Sequence, residues 1–477
     1  MPPAETRKPV AIIGGGITGL AAAYRLQQAS APYVLFEASE RLGGKILTEH
    51  VEGFVIEGGP DSVLAQKPWA VELARDLGLE AELIGTDPAQ KQLYVVDRGR
   101  LVPMPDGVML IIPTRFMPFV TSPLITWPGK LRMGMDLVLP ARRDDADESI
   151  GSFIRRRLGN EALEKIAAPL LSGIHVSDPE RQSLLGTFPR FRTVEKQHGS
   201  LIRGMLAQRR VARASGNGHH PPQNGTYKSS VFISMKNGLT SLVEGLTAAL
   251  SGKIRTRCPV AAVWANPDGS FTLRLADGSL FQAGAVVLAA PAYASAELLS
   301  GFLPDLAQEL SAIRYVSTAT VSLGFARDEI GGLLRGSGFL IPRKENRQIS
   351  ACTLTSNKFA HRAPEGQVLL RCFLGGPGRE EIVSRGDEEI ISTVRAELED
   401  LLGLRAEPSL ARVYRWQHGN PQYDVGHLER IRELNERCAQ VPGLLLAGGA
   451  YEGVGVPDCI HQGQQAADRA LQHLQDH

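Results

Sequence analysis

The stretch VAIIGGGITGLAAAYRL, from Val10 to Leu26, decides the fold. Four apolar residues (Val10 to Ile13) precede three consecutive glycines, and apolar residues then recur at helical spacing. This pattern predicts a buried strand, a tight turn and a helix. A second apolar stretch, YVLFEA from Tyr33 to Ala38, predicts another strand. Strand, helix and strand in this order form a βαβ unit, so we expect a Rossmann-like α/β fold with a parallel sheet.

The glycine spacing in the turn is typical of a dinucleotide-binding site. Gly14, Gly16 and Gly19 give the pattern G-x-G-x-x-G. Glycines let a diphosphate approach the backbone N–H groups at the N-terminus of the helix. Glu37, at the end of the second strand, can accept hydrogen bonds from both ribose hydroxyls. The cofactor-binding residues predicted in this unit are Gly14, Gly16, Ile17, Thr18, Gly19, Glu37 and Ala38.

The composition limits the classes of function. The chain has 477 residues, enough for two or three domains around a sizeable ligand. Its 52 basic and 51 acidic residues leave a formal net charge of +1, so no overall charge favours nucleic acid. The five cysteines form no CxxC pair, which predicts reduced thiols and no metal site. The chain opens without a signal-peptide pattern, so we expect a cytoplasmic protein.

The apolar stretch Leu101 to Pro128 is interrupted repeatedly by proline, which breaks helices. No uninterrupted apolar run is long enough to span a membrane. We therefore expect this stretch to form core or to line a cavity. Membrane contact is predicted to be peripheral at most, on the inner face of the cell membrane.

The residues after Glu37 resemble those of a known superfamily. EASERLGGKILT, from Glu37 to Thr48, resembles the second glycine motif of the flavin amine oxidases. GLLLAGGAYEGVGVPDCIHQGQQAA, from Gly443 to Ala467, resembles their other flavin-binding segment. The resemblance implies FAD, bound without a covalent link because Ala450 stands where flavin-tethering members have cysteine. It adds to the predicted site Arg41, Gly43, Gly44, Lys45, Val260, Gly449, Gly455, Val456 and Pro457.

Three further stretches narrow the resemblance: EGGPDSVLAQKP (Glu57 to Pro68), APLLSGIHVSDPERQSL (Ala168 to Leu184) and YEGVGVPDCIHQG (Tyr451 to Gly463). They are similar to the oxygen-dependent porphyrinogen oxidases of haem synthesis, which act on protoporphyrinogen or coproporphyrinogen. The resemblance implies that a porphyrinogen passes hydride to the flavin, and that oxygen then takes the electrons and becomes hydrogen peroxide. No protein residue is expected to act as an essential base, since the cofactor carries the chemistry. The flavin-side residues implied here are Gly58, Gly59, Pro60, Asp61 and Ser62.

The same reasoning divides the chain into domains. We expect a discontinuous FAD-binding domain, a mixed-sheet α+β substrate domain, a mostly helical insertion at the cavity, and a flexible loop rich in Gly, Pro, Asn and His. The predicted bounds are 1–98, 228–292 and 437–477 for the FAD-binding domain, 99–212 for the insertion, 213–227 for the loop and 293–436 for the substrate domain.

The choice between the two porphyrinogens rests on a few positions. Val102 stands where plant-type protoporphyrinogen oxidases have a propionate-binding arginine, and GPDS followed by Lys67 is similar to the coproporphyrinogen-oxidising branch. Coproporphyrinogen carries more propionates and therefore needs more cationic donors. Lys67 and Arg100 are the candidate propionate ligands, and His175 is a candidate cavity residue. Lys67 has the equally weighted alternative of merely flanking the helix that follows it.

Coproporphyrinogen III is thus the first expected substrate and protoporphyrinogen IX the next. A flavin amine oxidase is a more distant alternative, because only 6% of the residues are aromatic and such enzymes surround their amine with aromatic rings. A non-catalytic flavoprotein is the third. The expected partners are the porphyrinogen, molecular oxygen and the later enzymes of haem synthesis.

Overall fold

The computed structural model describes residues 8–105, 108–109, 112–113, 120–214, 227–330 and 335–476. Most of the predicted flexible loop at 213–227 lies outside these residues, as does part of the apolar stretch after Leu101. Among the described residues, no helix combines the length and the apolar character needed to cross a membrane. Within the same part of the chain, no group of His, Cys, Asp and Glu side chains could hold a metal ion.

A five-stranded parallel sheet carries the first glycine turn. In spatial order its strands are Lys253–Arg255, Tyr33–Phe36, Val10–Ile13, Ala285–Leu288 and Leu444–Leu446. Successive side chains face opposite cores, with Val10 and Ile12 in one and Ala11 and Ile13 in the other. Burial of both faces explains why the strands are apolar throughout. The sheet unites distant parts of the chain, and it confirms the predicted Rossmann-like α/β class.

Different elements cover the two faces of this sheet. The first face packs against helices Ile17–Gln28, Trp69–Asp76, Thr240–Ala249 and Val456–Asp476. The second packs against a three-stranded antiparallel sheet and three helices, with bounds Val260–Ala265, Phe271–Leu275, Leu280–Ala283, Ala292–Leu299, Pro304–Ser311 and His427–Ala439.

The second large sheet of the fold has seven strands and is mixed. In spatial order its strands are Leu410–Pro421, Tyr315–Ala326, Gln367–Gly375, Ile349–Leu354, Gly338–Leu340, Leu93–Asp97 and Arg100–Pro103. Helix Asp387–Leu402 covers one face. The predicted domain boundary after residue 98 divides the last hairpin, and here the structure differs: both of its strands belong to this sheet. The reason is the parallel pairing of Leu93–Asp97 with Gly338–Leu340, which no local pattern indicates.

Helices cover the other face of the seven-stranded sheet. They are Trp127–Gly134, Ile150–Leu158, Asn160–Ala162, Ala168–His175, Leu184–Thr187, Pro189–His198 and Leu201–Ala214, with a π-helical segment Leu163–Ala167. Phe153, Ile154 and Ile166 are fully buried among them. Arg157 and Asp136 form an ion pair that is also fully buried.

Shorter elements complete the described fold. The strands are Thr48–Val51 with Phe54–Glu57, Val63–Leu64 with Phe232–Met235 and Leu83–Gly85, and Val108–Met109 with Ile112–Pro113. The short helices are Arg327–Ile330 and Thr355–Lys358, and the 3-10 turns are Glu80–Glu82, Pro88–Gln90, Met135–Leu137, Tyr227–Ser229, Arg343–Glu345 and Glu380–Ser384.

Candidate functional site

The first glycine turn leaves no room for side chains where the backbone folds on itself. Gly14 has a φ of +112°, and a Cβ there would lie 2.7 Å from the carbonyl oxygen of Ala289. A Cβ at Gly19 would lie 1.9 Å from the carbonyl oxygen of Gly14. Gly16 begins the helix without a side-chain cap, and its nearest neighbour is the Gly44 Cα, 3.9 Å from the Cβ position. The open helix N-terminus can therefore receive an anion.

Glu37 is fixed beside this turn by both of its carboxylate oxygens. Oε2 accepts a hydrogen bond of 2.7 Å from the backbone N–H of Gly15, and Oε1 accepts from the backbone N–H and the hydroxyl of Ser39. The Glu37 carbonyl accepts from the Cys258 N–H, which brings the segment before Val260 to the same edge. Ala38 is exposed there. The carboxylate can thus face a ribose at the end of the second strand.

The second glycine turn packs directly on the first. The Gly43 N–H donates to the Gly15 carbonyl at 2.8 Å, and Gly43 and Gly44 have φ values of +98° and +57°. The guanidinium of Arg41 donates to three backbone carbonyls around this turn, including that of Ile46 at 2.7 Å. In this structure Arg41 holds the turn from within. Its predicted contact with the diphosphate stays a prediction.

Lys45 lies at the edge of the second glycine turn. It is exposed to solvent on one side, and the protein on the other side lowers the pKa of its ammonium by desolvation. We call the region bordered by Gly14–Gly19, Gly43–Lys45 and Gly58–Gly59 the cofactor cleft. A cradle of turns without Cβ atoms, an open helix N-terminus and a lysine on the wall fit a diphosphate-containing cofactor.

The Glu57–Ser62 segment continues the cofactor cleft. The Gly58 N–H donates to the Leu47 carbonyl at 2.8 Å, and a Cβ at Gly59 would lie 1.7 Å from the Lys45 carbonyl oxygen. The carbonyls of Gly58 and Gly59 accept from side chains of the seven-stranded sheet: Trp416 Nε1 at 2.8 Å and Arg371 Nη2 at 2.5 Å respectively. Pro60 follows them, half-buried.

Asp61 and Ser62 are held by a lysine from the same sheet region. Lys358 Nζ lies 2.9 Å from Asp61 Oδ2 and 3.3 Å from the Ser62 hydroxyl, which itself donates to Asp61 Oδ1. Burial acts to raise the pKa of Asp61, but the Lys358 ammonium and the Arg371 guanidinium hold it well below its usual range. Asp61 is therefore ionised and engaged within the protein.

The C-terminal glycine segment reaches the cleft through helix Val456–Asp476. A Cβ at Gly463 would lie 2.2 Å from the carbonyl oxygen of Thr18, so this helix packs tightly on the helix of the first turn. Gly449 and Gly453 are braced by one hydroxyl: Tyr423 donates to the Gly449 carbonyl at 3.0 Å and accepts from the Gly453 N–H at 2.8 Å. The remaining predicted residues of this segment are Gly455, Val456 and Pro457, at the start of the helix.

The three candidate substrate residues have different surroundings. Lys67 Nζ lies 2.6 Å from both carboxylate oxygens of Asp458, and its side chain is 39% exposed. Arg100 is exposed at the start of an edge strand. His175 ends helix Ala168–His175, and its side chain lies outside the described part of the chain. Lys67 therefore has an ionic partner that the sequence did not indicate.

Comparisons with known proteins agree with this geometry. The profile of the family described as flavin containing amine oxidoreductase matches residues 17–471. The chain belongs to this flavin-containing family. It is 40% identical to the coproporphyrinogen III oxidase of Bacillus subtilis (strain 168) over 478 residues, with 98% of this chain and 99% of that protein covered. The chloroplastic protoporphyrinogen oxidase of Oryza sativa subsp. japonica is 28% identical, with 99% and 90% covered.

A solved structure supports the same membership. The crystal structure of a protein from Exiguobacterium sp. 255-15 superimposes with a TM-score of 0.85 at 35% identity, with 98% of this chain and 99% of that chain covered. Membership in the flavin-containing family confirms the predicted cofactor, FAD. The individual contacts between FAD and the predicted residues remain predictions.

Several residues that support the cofactor cleft or the segments beside it were missed from the sequence. They are Lys358, Arg362, Arg371, Trp416, Tyr423 and Asp458. All but Asp458 lie outside the glycine motifs and belong to the seven-stranded sheet or its loops. Asp458 directly follows Val456 and Pro457, so its place in the motif was the one available signal.

Proposed function

We propose that this chain oxidises coproporphyrinogen III to coproporphyrin III in haem biosynthesis, with FAD as hydride acceptor, O2 as final acceptor and H2O2 as the second product. The observation that carries the proposal is the full-length identity of 40% with a coproporphyrinogen III oxidase, against 28% with a chloroplastic protoporphyrinogen oxidase. Protoporphyrinogen IX is the second candidate substrate.

When bound, FAD would supply the redox chemistry: a carbon that links two pyrroles would lose a hydride, and one peroxide would form from O2 for each pair of hydrogens removed. The chain's own residues bind the cofactor and the substrate and orient them relative to each other. The open helix N-terminus at Gly16 would receive the diphosphate, and Glu37, fixed by the Gly15 N–H, would hold the ribose. The pyrrole N–H protons leave to solvent, so we assign no residue as an essential base. Positioning and exclusion of bulk water are the protein's contribution.

Cationic side chains would hold the substrate's propionates. Lys67 and Arg100 are the proposed ligands, and His175 the proposed cavity residue. Lys67 is bound by Asp458, but part of its side chain remains exposed, so a propionate can share the ammonium from the open side. Because coproporphyrinogen has more propionates than protoporphyrinogen, loss of Lys67 should harm oxidation of coproporphyrinogen more.

Porphyrin fluorescence over time, in air, tests the proposal. FAD-loaded protein receives coproporphyrinogen III or protoporphyrinogen IX at matched concentration, each beside an enzyme-free sample that records autoxidation. We expect coproporphyrinogen III to be oxidised faster, with peroxide released in step with porphyrin. Faster oxidation of protoporphyrinogen IX would make that compound the assigned substrate. Rates equal to autoxidation with both compounds would overturn the proposal.

We also propose that contact with the inner face of the cell membrane is peripheral. The large apolar side chains Trp127, Leu131, Met135 and Val138 are 66%, 74%, 47% and 76% exposed. The first three follow one another at the four-residue spacing that places side chains on one helix face. Flotation of the full chain with anionic lipid vesicles checks this contact, and a protein that stays wholly in the lower, lipid-free fraction would rule it out.

A further inference from the structure

Three cations from one region of the chain converge on the Glu57–Ser62 segment. Arg362 Nη2 lies 3.4 Å from Glu57 Oε1, and Arg371 Nη2 donates to the Gly59 carbonyl at 2.5 Å. Lys358 Nζ lies 2.9 Å from Asp61 Oδ2. We call Lys358, Arg362 and Arg371, together with the carboxylates of Glu57 and Asp61, the charge cluster.

Three members of the charge cluster are buried, Lys358 and Asp61 are partly buried, and the cluster carries surplus positive charge. Arg362, Arg371 and Glu57 are 1%, 5% and 2% exposed. Three cations face two carboxylates, which leaves a formal charge of +1. Buried charges cost free energy, and hydrophobic replacements of similar volume are often at least as stable. Stability alone therefore does not account for Arg371, which interacts with Asp61 through charge but forms no direct ion pair among the described residues.

The backbone contacts of Arg371 lead directly into the cofactor cleft. Its second acceptor is the Gly58 carbonyl, at 3.4 Å. Gly58 and Gly59 pack in turn on the backbone of Leu47 and Lys45, next to the turn that pairs with Gly16. Removal of Arg371 would thus loosen one wall of the cleft. It would also remove a positive charge from a poorly screened region beside it.

We propose that Arg371 is a positioning residue that holds the Gly58–Gly59 backbone against the cofactor and, through the surplus charge of the cluster, raises the electron affinity of the bound FAD. Positive charge near an acceptor favours its electron-rich state, and the effect is strong where water is excluded. This inference rests on the FAD cofactor of the proposed function and is independent of which porphyrinogen is oxidised.

The test is an anaerobic reductive titration of the bound flavin, followed by its visible absorbance against a reference dye. Arg371→Met should lower the midpoint potential and weaken FAD binding by about tenfold, as expected for lost hydrogen bonds from a charged donor. Arg371→Lys keeps the charge and should restore most of the potential. Asp61→Asn removes a negative charge and should shift the potential upward.

The opposite signs for Arg371→Met and Asp61→Asn separate an electrostatic role from a structural one. Arg157→Met is the matched control, because Arg157 is also fully buried, pairs with Asp136 and donates to backbone carbonyls, but in the helical layer. It should lower the unfolding temperature and leave the flavin potential unchanged.

Two results would overturn the inference: an unchanged potential in Arg371→Met, or shifts of the same sign in Arg371→Met and Asp61→Asn. If Arg371→Met does not retain FAD, an unchanged or lowered potential in Asp61→Asn overturns the inference on its own. The titration contains no porphyrinogen, so it can succeed where the fluorescence assay fails and the reverse.

Discussion

The first glycine turn and the Glu57–Ser62 segment both border the cofactor cleft, but they are held in different ways. The hydrogen bonds that hold the first come from nearby in the chain, from Glu37 and Gly43, although the Ala289 carbonyl also packs on Gly14. The second is held by Trp416, Arg371 and Lys358, which lie 358, 312 and 297 residues away from their partners in sequence. Local backbone geometry therefore builds one wall of the cleft, and the docking of a second sheet builds the other.

The largest effect is expected where the local wall has no space. Gly19→Val places a Cβ 1.9 Å from the carbonyl oxygen of Gly14, and backbone cannot move away cheaply. We expect at least about 3 kcal/mol of destabilisation and no FAD in the purified protein. The flavin-to-protein absorbance ratio and thermal unfolding measure both. Gly301→Ala is the control, because open space surrounds Gly301. A Gly19→Val protein with a full complement of FAD would contradict this account of the turn.

A smaller effect is expected where a side chain completes the local wall. Glu37→Gln keeps the shape but removes the charge, and its amide nitrogen cannot accept from the Gly15 or Ser39 N–H groups. We expect FAD affinity to fall by about tenfold. Titration of apoprotein with FAD, followed by flavin fluorescence, measures the change. Glu40→Gln is the matched control, since Glu40 is exposed and pairs with exposed Arg257. Equal affinity of the two variants for FAD would show that Glu37 does not contribute to FAD binding.

The contrast between the walls also explains what the sequence could predict. Gly14, Gly19 and Glu37 sit within one βαβ unit, so their spacing alone indicated a strand, a turn, a helix and an acid at a fixed place. The same βαβ pattern predicted the α/β fold with a parallel sheet. Local patterns did not predict the sheet to which Leu93–Asp97 belongs, because its partner strand Gly338–Leu340 lies far away in the sequence.

Lys67 shows, for a single side chain, what could not be predicted from the sequence. Its type and position indicated a propionate ligand or a helix-flanking residue with equal weight. Its carboxylate partner, Asp458, lies at the opposite end of the chain, and only the packing of helix Val456–Asp476 beside Trp69 brings the two together. The charge cluster could not be predicted for the same reason. Its cations and its carboxylates come from segments that lie far apart in the sequence.

The smallest effect is expected at a histidine that supports the C-terminal part of the cleft from a distant helix. His427 is 2% exposed, stacks on Tyr423 with ring centroids 3.9 Å apart, and has Nε2 3.0 Å from the Tyr451 carbonyl. Burial lowers the pKa of His427, opposed by the Tyr451 carbonyl; Arg430 lowers it further, whereas Asp424 and Asp147 act to raise it.

A histidine whose pKa is lower in the folded state binds fewer protons folded than unfolded. Its contribution to stability is therefore complete above a pH of about 6.5 and is lost as the pH falls below that value, by at most about 1.4 kcal/mol per pH unit. His427→Gln should lower stability at pH 7.5 but flatten its decline between pH 7 and 5, as urea unfolding at each pH would show. An unchanged slope would mean that His427 does not carry the acid sensitivity. The support that Tyr423 gives to Gly449 and Gly453 would then be independent of the charge of His427.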